Sequence, residues 1–192
     1  KSINGVVEQG NVTARFTDKV GLQFNLRQSL TGRQVSFNSD HAGLLLRGMD
    51  IYDNASEGVL SITAAIDDTK EESIATGEVK IKDLRVVKAP VLGKILTLGS
   101  LGGIVELLQN DGMTFSTVEG PFTYENGLIT TKDFRAVGSI GITFNGQVDQ
   151  TNGKIDAFGT VIPSYTLNSI LGNIPILGTL LVGREGEGIF GF

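Results

Sequence analysis

The sequence predicts a mainly β protein, an antiparallel meander sheet accompanied by a few short helices. Three observations carry this. Apolar and polar residues alternate at period two along most of the chain, which is the pattern of strands with one dry and one wet face. Glycine is abundant, 26 residues against 4 prolines, as closely spaced turns require. Asn-Gly pairs stand between alternating runs, and both residues tolerate positive φ, the requirement of tight hairpins. At 192 residues the chain is long enough for one large domain, residues 1–192, that buries about 70% of its unfolded surface.

In chain order, the alternating runs are NVTARFTD (11–18), GLQFNLRQ (21–28), RQVSFNSD (33–40), GVLSITAAID (58–67) and TGEVKIKDLRV (76–86). The second half resumes with GPFTYENG (120–127), GLITTKDFRA (127–136), GITFNGQVD (141–149) and KIDAFGTVI (154–162). Turns are expected at Glu125-Asn126-Gly127 and Thr151-Asn152-Gly153, and the closing GIFGF reads as the beginning of another strand. The expectation is nine or ten strands joined as consecutive hairpins.

Three segments break the alternation. In SDHAGLLLRGMDIYDN, Ser39 or Asp40 is placed to cap a short helix whose apolar side carries Leu44, Leu45 and Leu46. In APVLGKILTLGSLGGIVELLQNDG, Pro90 suits a first helical turn, Ser100 a second cap and Gly112 a helix end. In PSYTLNSILGNIPILGTLLVG a short helix breaks at Asn173 and a further helical turn follows Pro175. Neither long segment reads as a membrane span. The first contains Lys94 and Glu106, the second Asn168, Asn173 and Pro175, whereas a span needs about 20 predominantly apolar positions.

Several function classes fall on inventory. There is no cysteine, and His41 is the sole histidine, so a thiolate site and a Ser/His/Asp arrangement both lack parts. His41 at the start of a short helix reads as an ordinary first-turn residue. GEGIFG (186–191) fits the spacing of a dinucleotide fingerprint, but Glu185 and Glu187 would repel phosphate. The acidic run at Asp67, Asp68, Glu71 and Glu72 has no EF-hand spacing and reads as a solvated loop. A net charge of -5 without a basic stripe argues against nucleic acid. No metal or cofactor is expected.

What stands out is a repeated apolar, glycine-spaced phrase: PVLGKILTLG at 90–99 and PILGTLLVG at 175–183. Its apolar side chains exceed what one helix face can bury. With Leu44 and Leu45, the candidates for lipid or membrane contact are Leu92, Ile95, Leu96, Leu101, Ile104 and Leu108, followed by Ile170, Leu171, Ile176, Leu177, Leu180 and Leu181. Burying each Leu or Ile stabilises by roughly 1.5–3 kcal/mol, so something must cover them. Spacing leaves two answers open: the chain's own sheet, or acyl chains held on it.

The stretches SDHAGLLLRGMDIYDNASEGVLSI, GEVKIKDLRVVKAPVLGKILTLGSLGGIVELLQNDGMTF and GTVIPSYTLNSILGNIPILGTLLVGREGEGIF resemble the C-terminal region of large AsmA-like proteins, the YhdP-type branch of the AsmA/TamB superfamily. The resemblance spans about residues 34–192, with APVLGKIL and GTVIPSYTLNSILGNIPILG its most specific phrases; the first thirty residues agree only as hairpins. It implies an antiparallel meander curled into an apolar groove and closed by amphipathic helical segments. It also implies a non-enzymatic, bridge-like lipid transfer module, with phospholipid acyl chains as cargo and outer-membrane integrity as the outcome. The setting would be the periplasmic domain of a Gram-negative envelope protein, held by an inner-membrane anchor outside this fragment and in reach of the outer membrane. The alternative is a structural or assembly module that binds an envelope protein by strand addition.

Overall fold

The computed structural model describes residues 10–15, 21–30, 32–48, 52–69, 73–90, 92–94, 110–163 and 190–191. Ten strands form one antiparallel sheet in which each strand pairs with its neighbours in the chain. They are β1 Gly10–Arg15, β2 Gly21–Ser29, β3 Gly32–Ser39, β4 Ala55–Asp67, β5 Ile74–Val86, β6 Met113–Glu125, β7 Leu128–Gly138, β8 Ile140–Asp149, β9 Lys154–Pro163 and the two-residue β10 Phe190–Gly191. The sheet is open: among the described residues β1 pairs only with β2, and β10 only with β9. The meander is therefore as the alternation predicts.

Turn chemistry follows the sequence in one hairpin and departs from it in another. Between β6 and β7, Asn126 and Gly127 take φ of 50° and 80°, the left-handed pair of a two-residue hairpin loop. Between β8 and β9 only Gly153 is left-handed, at φ 69°. There Asp149 organises a longer loop, accepting the Thr151 amide at 2.8 Å and the Asn152 carboxamide at 2.7 Å.

Helix α1, Ala42–Gly48, starts later than the Ser39 or Asp40 cap implies. Ser39 ends β3, and its hydroxyl accepts the His41 amide at 3.1 Å. Asp40 instead accepts the Gly21 amide at 2.7 Å. The cap is His41, whose Nδ1 accepts the Leu44 amide at 3.4 Å. A further helical turn at residues 90 and 92–94 has Pro90 at its start, where a missing N–H costs nothing, and Gly93 donates to the Ala89 carbonyl at 2.8 Å.

β6 begins at Met113, well before the predicted GPFTYENG run, for a reason that extends over three strands. Gly58 in β4, Asp83 in β5 and Ser116 in β6 fall between paired residues at matching positions of the ladders. Glu57, Gly58 and Asp83 there have positive φ. The alternation breaks at this level in all three strands, so the face that later side chains occupy reverses, and the one-residue register shift of a bulge falls between β6 and β7, at Ser116. Inward residues run Val79, Ile81, then Leu84, Val86; in β6 they run Val118, then Phe115, Met113. Because the three breaks are aligned, the faces of β4, β5 and β6 stay in register.

The core lies on one face, at the end bearing the helices. One cluster joins Ala42 and Leu45 of α1 to Ala55, Leu60, Ile81 and Leu84. A second joins Met113, Phe115, Ala136, Ile140 and Val161, with Ala89 and Leu92 packed on it. Half-buried Val86 and Val118 touch both clusters and make the core continuous. The Tyr52 hydroxyl donates to the Val87 carbonyl at 2.7 Å, pinning the chain that follows α1; burial pushes this phenol's pKa up.

Candidate functional site

From β4 to β9 the register aligns whole rows of inward side chains. The row nearest the helices is Leu60, Ile81, Val118, Ala136, Ile142 and Val161, each opposite the next. The farthest row is Ile66, Ala75, Tyr124, Ile129, Val148 and Ile155, joined in the same way. Between them lie Ile62, Val79, Phe134 and Phe144, the two rings 4.7 Å apart and tilted by 32°. Six strands at about 4.8 Å spacing span about 24 Å, and the two rows stand about 20 Å apart along the strands.

Burial falls steadily across this face. In the near row Leu60, Ile81, Ala136 and Val161 are buried. In the far row Ile66, Ala75, Ile129 and Val148 are only half-buried, Tyr124 is exposed and Ile155 is 69% exposed. Among the described residues, the helical segments therefore cover one end of this face and leave the other end more exposed. The opposite face is mixed: Lys80 and Glu119 pair across β5 and β6 at 2.6 Å, while Val59, Val137 and Phe158 are exposed on it.

An ion pair bounds the far end of the apolar face beside Ile66, which lies opposite Arg33 in the ladder. Arg33 donates from Nε and Nη2 to the two oxygens of Asp68 at 2.7 and 2.6 Å, and Ser73 adds a third bond. The guanidinium holds the Asp68 carboxyl below its ordinary range. A carboxyl with a folded-state pKa below its unfolded one contributes stability above the unfolded pKa, lost as pH falls through the folded value. Asp68→Asn is therefore expected to lower the melting temperature slightly near neutral pH, with the difference vanishing under acid conditions. Thermal melts of both proteins across pH check this, and a difference independent of pH would contradict it. The effect is small because the pair is partly exposed and screened.

Of the predicted contact residues, Leu45 is buried in the α1 cluster, Leu44 is half-buried on the same helix, and Leu92 is half-buried against the Met113 cluster. Ile95, Leu96, Leu101, Ile104, Leu108, Ile170, Leu171, Ile176, Leu177, Leu180 and Leu181 lie outside the described residues. Sequence reasoning missed the far row as a site. Each of its members was visible as an alternating apolar residue, but only strand register aligns them. No helix among the described residues is long and apolar enough to cross a membrane. His41 is committed to the α1 cap, and no cluster of three potential metal ligands occurs among the described residues.

Fold and register together define an open antiparallel meander sheet whose buried core lies on one face, under the described helical segments. In comparisons with protein-family models, curated proteins and solved structures, nothing matches the chain.

Proposed function

We propose that this is a non-enzymatic lipid-binding module whose apolar sheet face holds phospholipid acyl chains. The observation that carries the reading is the far row from Ile66 to Ile155, an in-register apolar strip that the described helices leave open. Its length of about 24 Å exceeds the roughly 15 Å of one leaflet's hydrocarbon. Contiguous apolar surface rimmed by polar residues marks an interaction site. On this reading the sheet acts as an apolar groove, with the helical segments as an end cover or gate. The resemblance to AsmA-like C-terminal regions adds the setting: a periplasmic module in bridge-like phospholipid transport between inner and outer membranes.

The test is Ile129→Asp with Ile155→Asp, purified without detergent beside the unaltered protein and read by native mass spectrometry with organic extraction. Both positions lie far from the buried clusters, so the melting temperature is expected to fall little while co-purifying phospholipid drops at least about tenfold, a charge being costly to any apolar ligand. Equal lipid in both proteins would contradict the reading. The competing assembly reading rests on the one-sided pairing of β1, and it predicts a retained protein partner in place of lipid.

A further inference from the structure

The side of the sheet away from the core carries a second feature, independent of the lipid reading. A hollow of about 500 Å³ lies over β2–β5, within the size range of small-molecule sites. Asn25, Ser36 and Thr63 line it in one register row, and Gln34, Ala65 and Thr76 in the next. The side chains are two carboxamides, three hydroxyls and one methyl at the centre. None of the five polar ones makes a hydrogen bond to another described residue. Elsewhere on the strands such groups are committed: Ser116 Oγ donates to the Val137 carbonyl at 2.9 Å, and Thr143 and Thr160 share a bond of 2.6 Å.

Chemistry narrows the ligand. Carboxamides and hydroxyls both donate and accept, which complements a ring of sugar hydroxyls. A phosphate needs donors, and the Glu78 carboxylate on the β5 side of the hollow opposes it. Arg27 stands on the β2 side, its backbone three strand spacings or about 14 Å from that of Glu78 across the sheet, so the one cation among the described lining residues lies at the edge of the hollow and the carboxamides and hydroxyls fill its middle. We propose that this hollow binds a neutral, hydroxyl-rich ligand of the saccharide class, one or two sugar units in size.

The experiment is an amide NMR titration of the protein with maltose and with N,N′-diacetylchitobiose, inorganic phosphate serving as the control. Saturable shifts are expected at the amides of Ser36, Thr63 and Thr76 for at least one sugar, with a Kd on the order of 1 mM. Thr63→Val with Thr76→Val removes two hydroxyls while keeping β-branched shape and strand preference, and is expected to weaken binding at least about tenfold at an unchanged melting temperature. No saturable shift with either sugar overturns the proposal. So does an unaltered affinity in the folded variant, or a stronger response of the same amides to phosphate.

Discussion

Met113→Ala is expected to lose about 2–5 kcal/mol of stability, the range for truncating a long apolar side chain in a core that relaxes only partly. Met113 is 1% exposed and packs among Phe115, Ile140 and Val161, so truncation opens a cavity where β6 meets the strands on the far side of the bulge line. For a domain of this length each kcal/mol moves the melting temperature by about 2–4 °C, which makes the effect plain in a thermal or denaturant melt. Ile155→Ala is the matched control. Its side chain is mostly solvated in the folded protein, and the loss should stay below about 1 kcal/mol. Equal losses at the two positions would mean that the core does not lie at the helix-bearing end.

Gly43 and Gly93 are both helical, and alanine should act on them in opposite directions. A Cβ at Gly43 would lie 2.4 Å from Ser56 Cα and 2.6 Å from its backbone N and C. No rotamer relieves a clash between two backbones, so α1 must lift from β4 and uncover Ala55, Leu60 and Leu84. Helix propensity favours alanine by about 0.8–1.0 kcal/mol, but overpacking costs about 1–3 kcal/mol, and at this overlap the clash wins. At Gly93 a Cβ meets nothing within 4 Å; the propensity acts alone, and Gly93→Ala should stabilise by about 0.5–1 kcal/mol. Paired denaturant melts check the signs, and a stabilised Gly43→Ala protein would show that α1 is not seated on β4.

The alternating runs made most of the strands legible, since period two in GLQFNLRQ or KIDAFGTVI admits no other regular structure that buries one face. β6 was read short because Ser116 and Thr117 are two consecutive polar residues between Phe115 and Val118. They mark a bulge, and the same signal recurs as Lys82-Asp83 between Ile81 and Leu84. Alignment of the breaks at Gly58, Asp83 and Ser116 depends on pairing among residues distant in sequence, so no local window contains it. The α1 cap was misplaced because Ser39 and Asp40 are better general caps than histidine, yet β3 and the Gly21 amide claim them first. The candidate site was the least legible part. Sequence drew attention to the greasy helical phrases, whereas the open apolar strip arises from residues such as Tyr124, Ile129 and Val148 that are unremarkable one at a time and become a surface only in register.

The proposed lipid site occupies one particular face of the sheet, and β9 offers a direct comparison. Ile155 and Phe158 are both apolar and similarly exposed, at 69% and 65%, but they occupy opposite faces of one unbulged strand. The measurement is a benzophenone photo-crosslinker placed at each position in turn, with irradiation in the presence of phospholipid vesicles and mass analysis of the adducts. Phospholipid adducts from position 155 and few from position 158 are the predicted result. Equal capture at both, or capture at 158 alone, would show that exposed apolar surface in general, and not the face continuous with the core, attracts the lipid.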